Sequence, residues 1–384
     1  MMLERCLPPW RRFGAMLIKE FKQLGRDRVL LAFILYAFTL DVFLAASGVS
    51  LSLSNAVTWV QDLDHSAASR ELTRRFQAPY FNVNHHFDAD REGQQALDSG
   101  AAMILLSIPE GFGRDLAQGR GAELALQVDT SNSVLGFLAV SHGEMIAARF
   151  GLDAALARQG GTARDAERLP GVSNAMRVWF NPNQNDSWFM GIAEMLNIAT
   201  VFSVLLPAAA LVREKERGTV EQLMVSPLSP FGILFPKVVA MSAVIVSGIA
   251  VTLFLVLIPV FDIPVKGSLL LFFAASLLYV FTTAGLGLFA ATVSQNLAQA
   301  GMLSILILSP MLFLSGAWTP AEAMPAWLRW LMYASPLHYY LDIAFGILLK
   351  GQGARELAAP LLEMGGIGVL VLGLGLLLFR RQFG

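Results

Sequence analysis

Residues 268–293 read SLLLFFAASLLYVFTTAGLGLFAATV, a stretch without a single charged side chain. A transmembrane helix needs about 20 mostly apolar residues to cross about 30 Å of hydrocarbon. Five further stretches have the same character, at residues 29–53, 188–211, 238–261, 298–316 and 361–379. The sequence therefore predicts an α-helical polytopic membrane protein with six transmembrane helices.

The overall composition agrees with a membrane protein. Of the 384 residues, 55% are hydrophobic and only 15% are charged, whereas a soluble protein carries about 25% charged residues. The net charge of −1 argues against a nucleic-acid-binding protein, which needs a basic excess or a clustered basic face. The single cysteine, Cys6, excludes a disulfide framework and a cysteine-based metal cluster.

The charges are concentrated between the first two apolar stretches. Residues 55–186 hold 11 basic and 16 acidic residues, which is the composition of an ordinary soluble domain. We therefore expect one inserted domain over residues 54–187, with membrane-spanning segments on both sides of it.

Basic residues indicate the orientation. With six spans both termini lie on one side, and 13 of the 17 basic residues outside the inserted domain fall on that side, in residues 1–28, the loop 212–237 and the tail 380–384. By the positive-inside rule both termini are cytoplasmic. The inserted domain and residues 317–360 are then extracytoplasmic.

A seventh apolar stretch, Leu337–Leu349, is shorter than a span and contains His338 and Asp342. Its length favours a re-entrant or interfacial helix. A seven-span protein would also place Arg380 and Arg381 outside, against the charge rule.

The inserted domain shows alternating strand and helix patterns, which favour a small α/β fold with helices packed on a sheet. The strand-like runs are Ala56–Val60, Phe81–Phe87, Ala102–Ile108 and Glu123–Val128. The helical patterns are Ser66–Phe76, Ala89–Asp98, Glu110–Gln118 and Val134–Arg158.

Motifs of common enzyme sites are missing from the sequence. It has no phosphate-binding P-loop, no Gly-x-Ser-x-Gly, no His-Glu-x-x-His and no dinucleotide glycine pattern. The adjacent pair His85 and His86 would point to opposite faces of a strand, which favours an exposed polar pair over a metal site. We expect no catalytic residue and no metal ligand in this chain.

The loop between the second and third spans carries a dense charge pattern. Its first part reads Arg213-Glu214-Lys215-Glu216-Arg217-Gly218-Thr219-Val220-Glu221. Thr219 can cap a short helix, with Gln222 completing a capping box. Two interpretations stay open on composition alone: an amphipathic helix that docks on another protein, or a solvated loop that only satisfies the positive-inside rule.

This loop closely resembles the coupling-helix signature of type-2 ABC transporter permeases. Further segments resemble the same family in the same order along the chain: Lys19-Glu20-Phe21 with Arg26-Asp27, Asp62-x-Asp64, Ile108-Pro109-Glu110-Gly111-Phe112, Trp179-Phe-Asn-Pro-Asn, and Pro325-x-Trp-Leu-x-Trp with Ser335-Pro336-Leu337. One departure is Phe235-Pro236-Lys237, where the family usually has glycine before the lysine.

The resemblance implies a division of labour between subunits. Two permeases, identical or related, would form the pathway, and two ATP-binding subunits would hold the ATP and Mg²⁺, so that this chain itself has no cofactor. Arg213 to Thr219 and Glu221 would contact the ATP-binding subunit. The basic amphipathic pattern of Trp10–Leu24 predicts an interfacial helix on the membrane lipid, and the resemblance adds the role of a connecting helix.

Ionisable residues inside spans are costly and therefore candidates for function. Asp41 lies near the middle of the first span, and Glu194 lies in the second with Asn197 one turn away. We expect these three residues to line the path of a cationic or amphiphilic substrate. A structural hydrogen bond between helices is the alternative.

The resemblance also implies that the short helices within residues 321–349 form an outer gate, with His338, Tyr339 and Asp342 as candidate residues. Together these features predict a permease that exports a hydrophobic or amphiphilic, drug-like substrate from the cytoplasm or inner leaflet. It would lie in a bacterial plasma membrane, most simply a Gram-negative inner membrane, where a periplasmic adaptor is a further candidate partner. Two other classes stay open: a membrane sensor or scaffold with an extracytoplasmic ligand-binding domain, and an intramembrane transferase that uses His338 with Asp342.

Overall fold

The computed structural model describes residues 9–48, 52–158, 179–218, 230–317, 319, 321 and 324–383. The chain divides into two compact units, one of Met1–Val49 with Val178–Gly384, the other of Ser50–Arg177.

The described part of the chain begins with two helices that are separated by one residue. Helix α1 spans Pro9–Arg26 and α2 spans Arg28–Gly48. Asp27 separates them, and its side chain accepts a hydrogen bond from the backbone N–H of Leu30 at 3.1 Å, which caps the first turn of α2. Helix α2 widens into one π-helical segment, Ala37–Asp41, a local form that is frequent at functional sites.

The second unit is an α/β fold. Its elements are β1 (Ala56–Asp62), α3 (Ala67–Arg75), β2 (Phe81–His86), α4 (Asp90–Asp98), β3 (Ile104–Ile108), α5 (Phe112–Gln118), β4 (Ala125–Val128) and α6 (Ser133–Arg158). The four strands lie in the order β2-β1-β3-β4. Strands β1, β2 and β3 are parallel, and β4 runs antiparallel to β3.

Side chains alternate between the two faces of this sheet. Val60 and Leu106 lie on one face, where they pack in a core with Leu72 of α3 and Phe112 of α5. Leu105 faces the other way, into the smaller cluster with Ala96 of α4. Helices therefore cover both faces of the sheet. Each connection between parallel strands runs across one face of the sheet, and the helix within that connection packs there.

The helices after this unit complete the first one. They are α7 (Asp186–Glu216), α8 (Phe231–Phe261), α9 (Leu269–Val293), α10 (Leu297–Phe313), α11 (Ala326–Tyr333), α12 (Pro336–Phe345) and α13 (Ala358–Phe383). Among the described residues five helices, α2, α7, α8, α9 and α13, are long and apolar enough to cross a membrane, while α10 is shorter, with 17 residues. The count of six spans therefore stays a prediction.

Helix α7 lies at the centre of this unit and is buried along most of its length. It packs against α2, α8, α9 and α10. Gly287 of α9 permits one of these contacts, because a Cβ atom there would collide with the backbone oxygen of Val204. Close approach of helices at small residues is typical of membrane bundles.

The ends of two helices differ from the sequence-based expectation. Helix α7 continues to Glu216, beyond the predicted end of the span at residue 211. The next helix, α8, begins at Phe231 instead of residue 238. Arg213, Glu214, Lys215 and Glu216 thus form the last turn of a helix and are not part of a loop, because their charges find partners on neighbouring helices.

Candidate functional site

Four charged side chains meet where α1, α7 and α8 come together. Nζ of Lys237 lies 2.9 Å from Oε1 of Glu20 and 3.2 Å from Oε1 of Glu214. Lys19 forms ion pairs with Glu20, at 3.2 Å, and with Glu214. We call Lys19, Glu20, Glu214 and Lys237 the buried ion cluster, although Lys19 itself is only half-buried.

Burial makes this cluster costly to break. Glu20 and Lys237 are each 1% exposed and Glu214 is 4% exposed. Two lysines balance two glutamates, so no net charge is left in the apolar surroundings. Removing one member of a buried ion pair leaves an uncompensated charge, which is strongly destabilising.

Local packing brings the four residues together. Helix α1 lies along α8, with the rings of Phe13 and Phe235 5.8 Å apart. Glu20 follows Phe13 by two helical turns and therefore lies on the same face of α1. Lys237 follows Pro236 within α8 and projects toward that face. The partial burial of Lys19 lowers its pKa, but Glu214 and Glu20 outweigh this effect and raise the pKa above its usual value.

A second ion pair joins α7 to the break between α1 and α2. Nη1 of Arg213 lies 3.3 Å from Oδ2 of Asp27. The hydrogen bond from the N–H of Leu30, together with Arg213, lowers the pKa of Asp27 below its usual value. Asp27 thus caps α2 and pairs with α7 at the same time.

The remaining charges of the last turn of α7 reach α9 and α10. Nζ of Lys215 donates to the carbonyl oxygens of Ala291, Thr292 and Ser294 at 2.7–3.0 Å. A cation at this place satisfies carbonyls that a helix end leaves free. Oε1 of Glu216 accepts the N–H of Leu297, at 2.8 Å, at the start of α10.

The predicted coupling motif therefore divides into two parts. Its first four residues, Arg213 to Glu216, bind neighbouring helices of this chain. Arg217 is exposed, and Gly218 has a positive φ of 67°, a conformation that favours glycine and ends the helix. Thr219, Glu221 and the proposed capping box lie outside the described residues.

The predicted intramembrane residues share one recess. Asp41 of α2 and both Glu194 and Asn197 of α7 line a cavity of about 480 Å³, with Phe33, Ile198, Phe202, Leu312 and Phe313 among its apolar walls. Nδ2 of Asn197 donates to Oε2 of Glu194 at 3.2 Å. Asp41 is the last residue of the π-helical segment of α2. Two carboxylates and an amide thus face a mostly apolar space between α2, α7 and α10.

Two of the three candidate gate residues are in contact, since the rings of His338 and Tyr339 lie 5.2 Å apart between centroids. Nδ1 of His338 lies 3.3 Å from the backbone oxygen of Ser315, and the hydroxyl of Tyr339 donates to the backbone oxygen of Tyr333 at 2.9 Å. Asp342 is exposed on the same helix. In the described part of the chain no hydrogen bond or ion pair joins His338 to Asp342.

Two buried tyrosines tie α12 into the bundle. The rings of Tyr279 and Tyr340 stack with centroids 4.0 Å apart. The hydroxyls of Tyr279 and Thr200 of α7 lie 2.6 Å apart, and Tyr340 donates to Oγ of Ser276 at 2.8 Å. Sequence reasoning missed this pair, because a tyrosine in an apolar run predicts an interfacial anchor as readily as a buried one.

In the second unit, the histidine pair shows no metal-binding arrangement. His85 contacts Glu92 at 3.4 Å and the ring of Trp59 at 4.2 Å between centroids. Among the described residues no group of three potential ligands is close enough to hold a metal ion.

Known proteins that are similar to this chain indicate its family. Residues 29–377 match a family model described as ABC-2 family transporter protein. The chain belongs to the ABC-2 transporter family. It is 32% identical over 367 residues to the "Inner membrane transport permease YhhJ" of Escherichia coli (strain K12), which covers 96% of each chain.

Further relatives have related names. The chain is 29% identical to the "Probable multidrug ABC transporter permease YbhR" of Escherichia coli (strain K12), covering 89% of this chain and 90% of the relative. It is 25% identical to YbhS of the same strain, which has the same description, over 97% and 98% of the two chains. Membership of the ABC-2 family confirms the resemblance stated from the motifs, makes the chain a transport permease, and implies an ATP-binding partner subunit.

Sequence reasoning found Glu214 but not its partners. Glu20 and Lys237 were noted only as parts of family-like segments. A signal was present for Lys237, since a single lysine at the start of an apolar helix needs a partner once it is buried. A comparable signal for Glu20 is that it is the sole acid in a basic amphipathic helix.

Proposed function

We propose that this chain is the membrane-spanning subunit of an ATP-driven exporter in a bacterial inner membrane. It moves a hydrophobic or amphiphilic substrate out of the cytoplasm or the inner leaflet. ABC-2 family membership over residues 29–377 is the observation that carries the proposal. Relatives named as an inner membrane permease and as multidrug permeases support it.

In this proposal two copies of the chain, or this chain and a relative, form the path, and two ATP-binding subunits hydrolyse ATP with Mg²⁺. Both termini lie in the cytoplasm, in keeping with the basic residues near them. The α/β unit lies on the far side, where it can receive substrate or bind a periplasmic adaptor.

The buried ion cluster would transmit the movement of a bound ATP-binding subunit to the helices of this chain. The segment that follows Gly218 connects the end of α7 to the start of α8, and the cluster joins both of those helix ends to α1. An ATP-binding subunit that moves residues 217–229 would therefore move α1, α7 and α8 together. Lys215 and Glu216 would pass the same displacement to α9 and α10.

The recess beside Asp41 and Glu194 is the proposed substrate path. An acidic pair among phenylalanine and leucine side chains suits a substrate with a cationic group and an apolar body. Helices α11 and α12, with His338, Tyr339 and Asp342, would form the outer gate. The tyrosine stack and Ser276 would connect that gate to α9.

Copurification tests the assignment of a partner. The full chain, extracted in mild detergent, should retain an ATPase, and the chain with Arg217→Glu and Glu221→Lys should lose it at unchanged expression and thermal stability. A matched control, Arg355→Glu with Glu356→Lys, likewise exchanges two exposed charges of opposite sign, at the other end of the helices, and should retain the ATPase. An intact chain without any bound ATPase would contradict the proposal.

Transport measurements test the substrate path. Asp41→Asn and Glu194→Gln should each reduce export of cationic amphiphiles several-fold, while neutral compounds of similar size are affected less. Asp262→Asn is the control, because Asp262 is exposed with a positive φ that asparagine tolerates. Equal export of cations by all three variants would disprove the path, even if the ATPase still copurifies.

A further inference from the structure

A large basic groove runs beside α1 at the point where α2 begins and α7 ends. Its volume is about 910 Å³, and its wall is formed by α1, the break at Asp27 and the last residues of α7. Six basic side chains line it, against Asp27 as the acid: Lys19, Lys22, Arg26, Arg28, Arg213 and Arg217. The groove is therefore strongly positive before any partner binds.

Internal ion pairs account for two of these cations. Arg213 pairs with Asp27, and Lys19 pairs with the glutamates of the buried ion cluster. Lys22, Arg26, Arg28 and Arg217 are exposed and form no ion pair with any residue that the structure describes. Four cations around one concave space, with no counterion among the residues that the structure describes, indicate an anionic ligand.

The position of the groove points to the kind of anion. It lies where two apolar helices, α2 and α7, leave the hydrocarbon region, so its depth is that of lipid headgroups. Helix α1 carries exposed apolar side chains: Ile18, in the groove lining, is 57% exposed, and Trp10, at the start of the helix, is 68% exposed. Such side chains are typical of a helix that lies in the membrane interface.

The lining itself is amphipathic. Ile18 and Val29 lie in the same groove as the basic side chains, and Val29 is 80% exposed. A phosphodiester headgroup meets the cations, and the first methylenes of an acyl chain meet the apolar side chains. An acidic protein surface would satisfy the charges but would leave the apolar side of the groove without a matching partner.

We propose that this groove binds the phosphate headgroup of an anionic phospholipid. Lys22, Arg26 and Arg28 contact the phosphate oxygens, since basic pockets between helix ends are suited to such headgroups. The bound lipid bridges α1 and the start of α2, next to the buried ion cluster. The site belongs to the permease chain and goes beyond the proposed export function.

Lipid binding to the purified full chain tests the proposal. Native mass spectrometry should show phosphatidylglycerol bound more tightly than phosphatidylcholine of the same acyl chains. Lys22→Gln with Arg26→Gln should weaken phosphatidylglycerol binding about tenfold or more, since each surface cation contributes to attraction of anionic lipid. Lys22→Arg with Arg26→Lys keeps the charge and should keep most of the binding.

The control removes two cations elsewhere. Lys350→Gln with Arg355→Gln changes the net charge by the same amount at exposed positions outside the groove and should leave binding unchanged. If the Lys22 and Arg26 variant does not fold, Arg28→Gln makes the same test from the start of α2.

Four results would overturn the proposal. Phosphatidylcholine binds as tightly as phosphatidylglycerol, or the control variant loses as much binding as the groove variants. Inorganic phosphate at equal concentration displaces the lipid, which identifies a general anion site. An ATP-binding subunit displaces the lipid from the complex, which identifies the groove as a protein-docking surface.

Discussion

Nζ of Lys237 lies 2.9 Å from Oε1 of Glu20, a residue 217 positions earlier in the chain. Both side chains are buried. This contact joins α1 to the first turns of α8, and Glu214 joins α7 to the same point. Ion pairs of one cluster therefore connect the two helix ends that flank the proposed coupling segment.

Replacing Lys237 by methionine should destabilise the protein. The change removes the charge of Lys237 from beside the buried Glu20 and Glu214. Removing one member of a buried ion pair costs about 3–5 kcal/mol. Thermal unfolding of the detergent-solubilised chain measures the effect. Glu20→Gln in the same chain should restore part of the loss, and a single variant as stable as the parent would contradict the assigned pairing.

The Asp27 cap should produce a defined pH dependence. Because the pKa of Asp27 lies below its ordinary value of 3.8, its contribution to stability is present above that value and is lost as the pH falls through the lowered pKa. Asp27→Ala should therefore lower the melting temperature at pH 7, with the difference shrinking in strong acid. Asp27→Asn keeps an acceptor for the N–H of Leu30 but not the charge, so its deficit should be smaller.

Gly287 should not tolerate a side chain. A Cβ atom would collide with the backbone oxygen of Val204, so Gly287→Ala should push α9 away from α7 at a cost of about 1–3 kcal/mol. Gly301→Ala is the control, because a Cβ atom there meets nothing within 4 Å. Alanine also favours the helical state, so the control should be neutral or stabilising. Equal unfolding temperatures for the two variants would refute the close contact.

Tyr340 should contribute to stability through both its ring and its hydroxyl. Tyr340→Ala removes the stack on Tyr279 and leaves a cavity, at a cost of about 3 kcal/mol or more. Tyr340→Phe keeps the ring and loses the hydrogen bond to Ser276, so its cost should be about 1 kcal/mol. Denaturation of the two variants side by side measures the ratio, and a phenylalanine variant as unstable as alanine would place the energy in the hydroxyl.

Local patterns predicted the positions of most elements. The run predicted as a strand at Phe81–Phe87 corresponds to β2 at Phe81–His86, and the helical pattern Ala89–Asp98 corresponds to α4 at Asp90–Asp98. Alternation and helical spacing depend on neighbouring residues alone, which is why a single sequence contains them. The apolar stretch 268–293 likewise corresponds to α9.

The intramembrane recess was also foreseeable in part. Asp41 and Glu194 are conspicuous as carboxylates within apolar runs, and the structure brings them to one cavity. Their shared location could not be derived, because it depends on the packing of α2 against α7. The roles assigned to them, and to Arg217, Thr219 and Glu221, stay predictions.

The sequence by itself determined that this is a helical membrane protein of the ABC-2 family, because hydrophobicity, charge asymmetry and the motif around Arg213 are properties of local segments. Only the tertiary structure decided that Glu214, Lys215 and Glu216 serve neighbouring helices of the same chain. A buried charge is stable only beside a matching charge or a free backbone group. Whether such a partner is present depends on residues brought together from distant parts of the chain, such as Glu20 and Lys237.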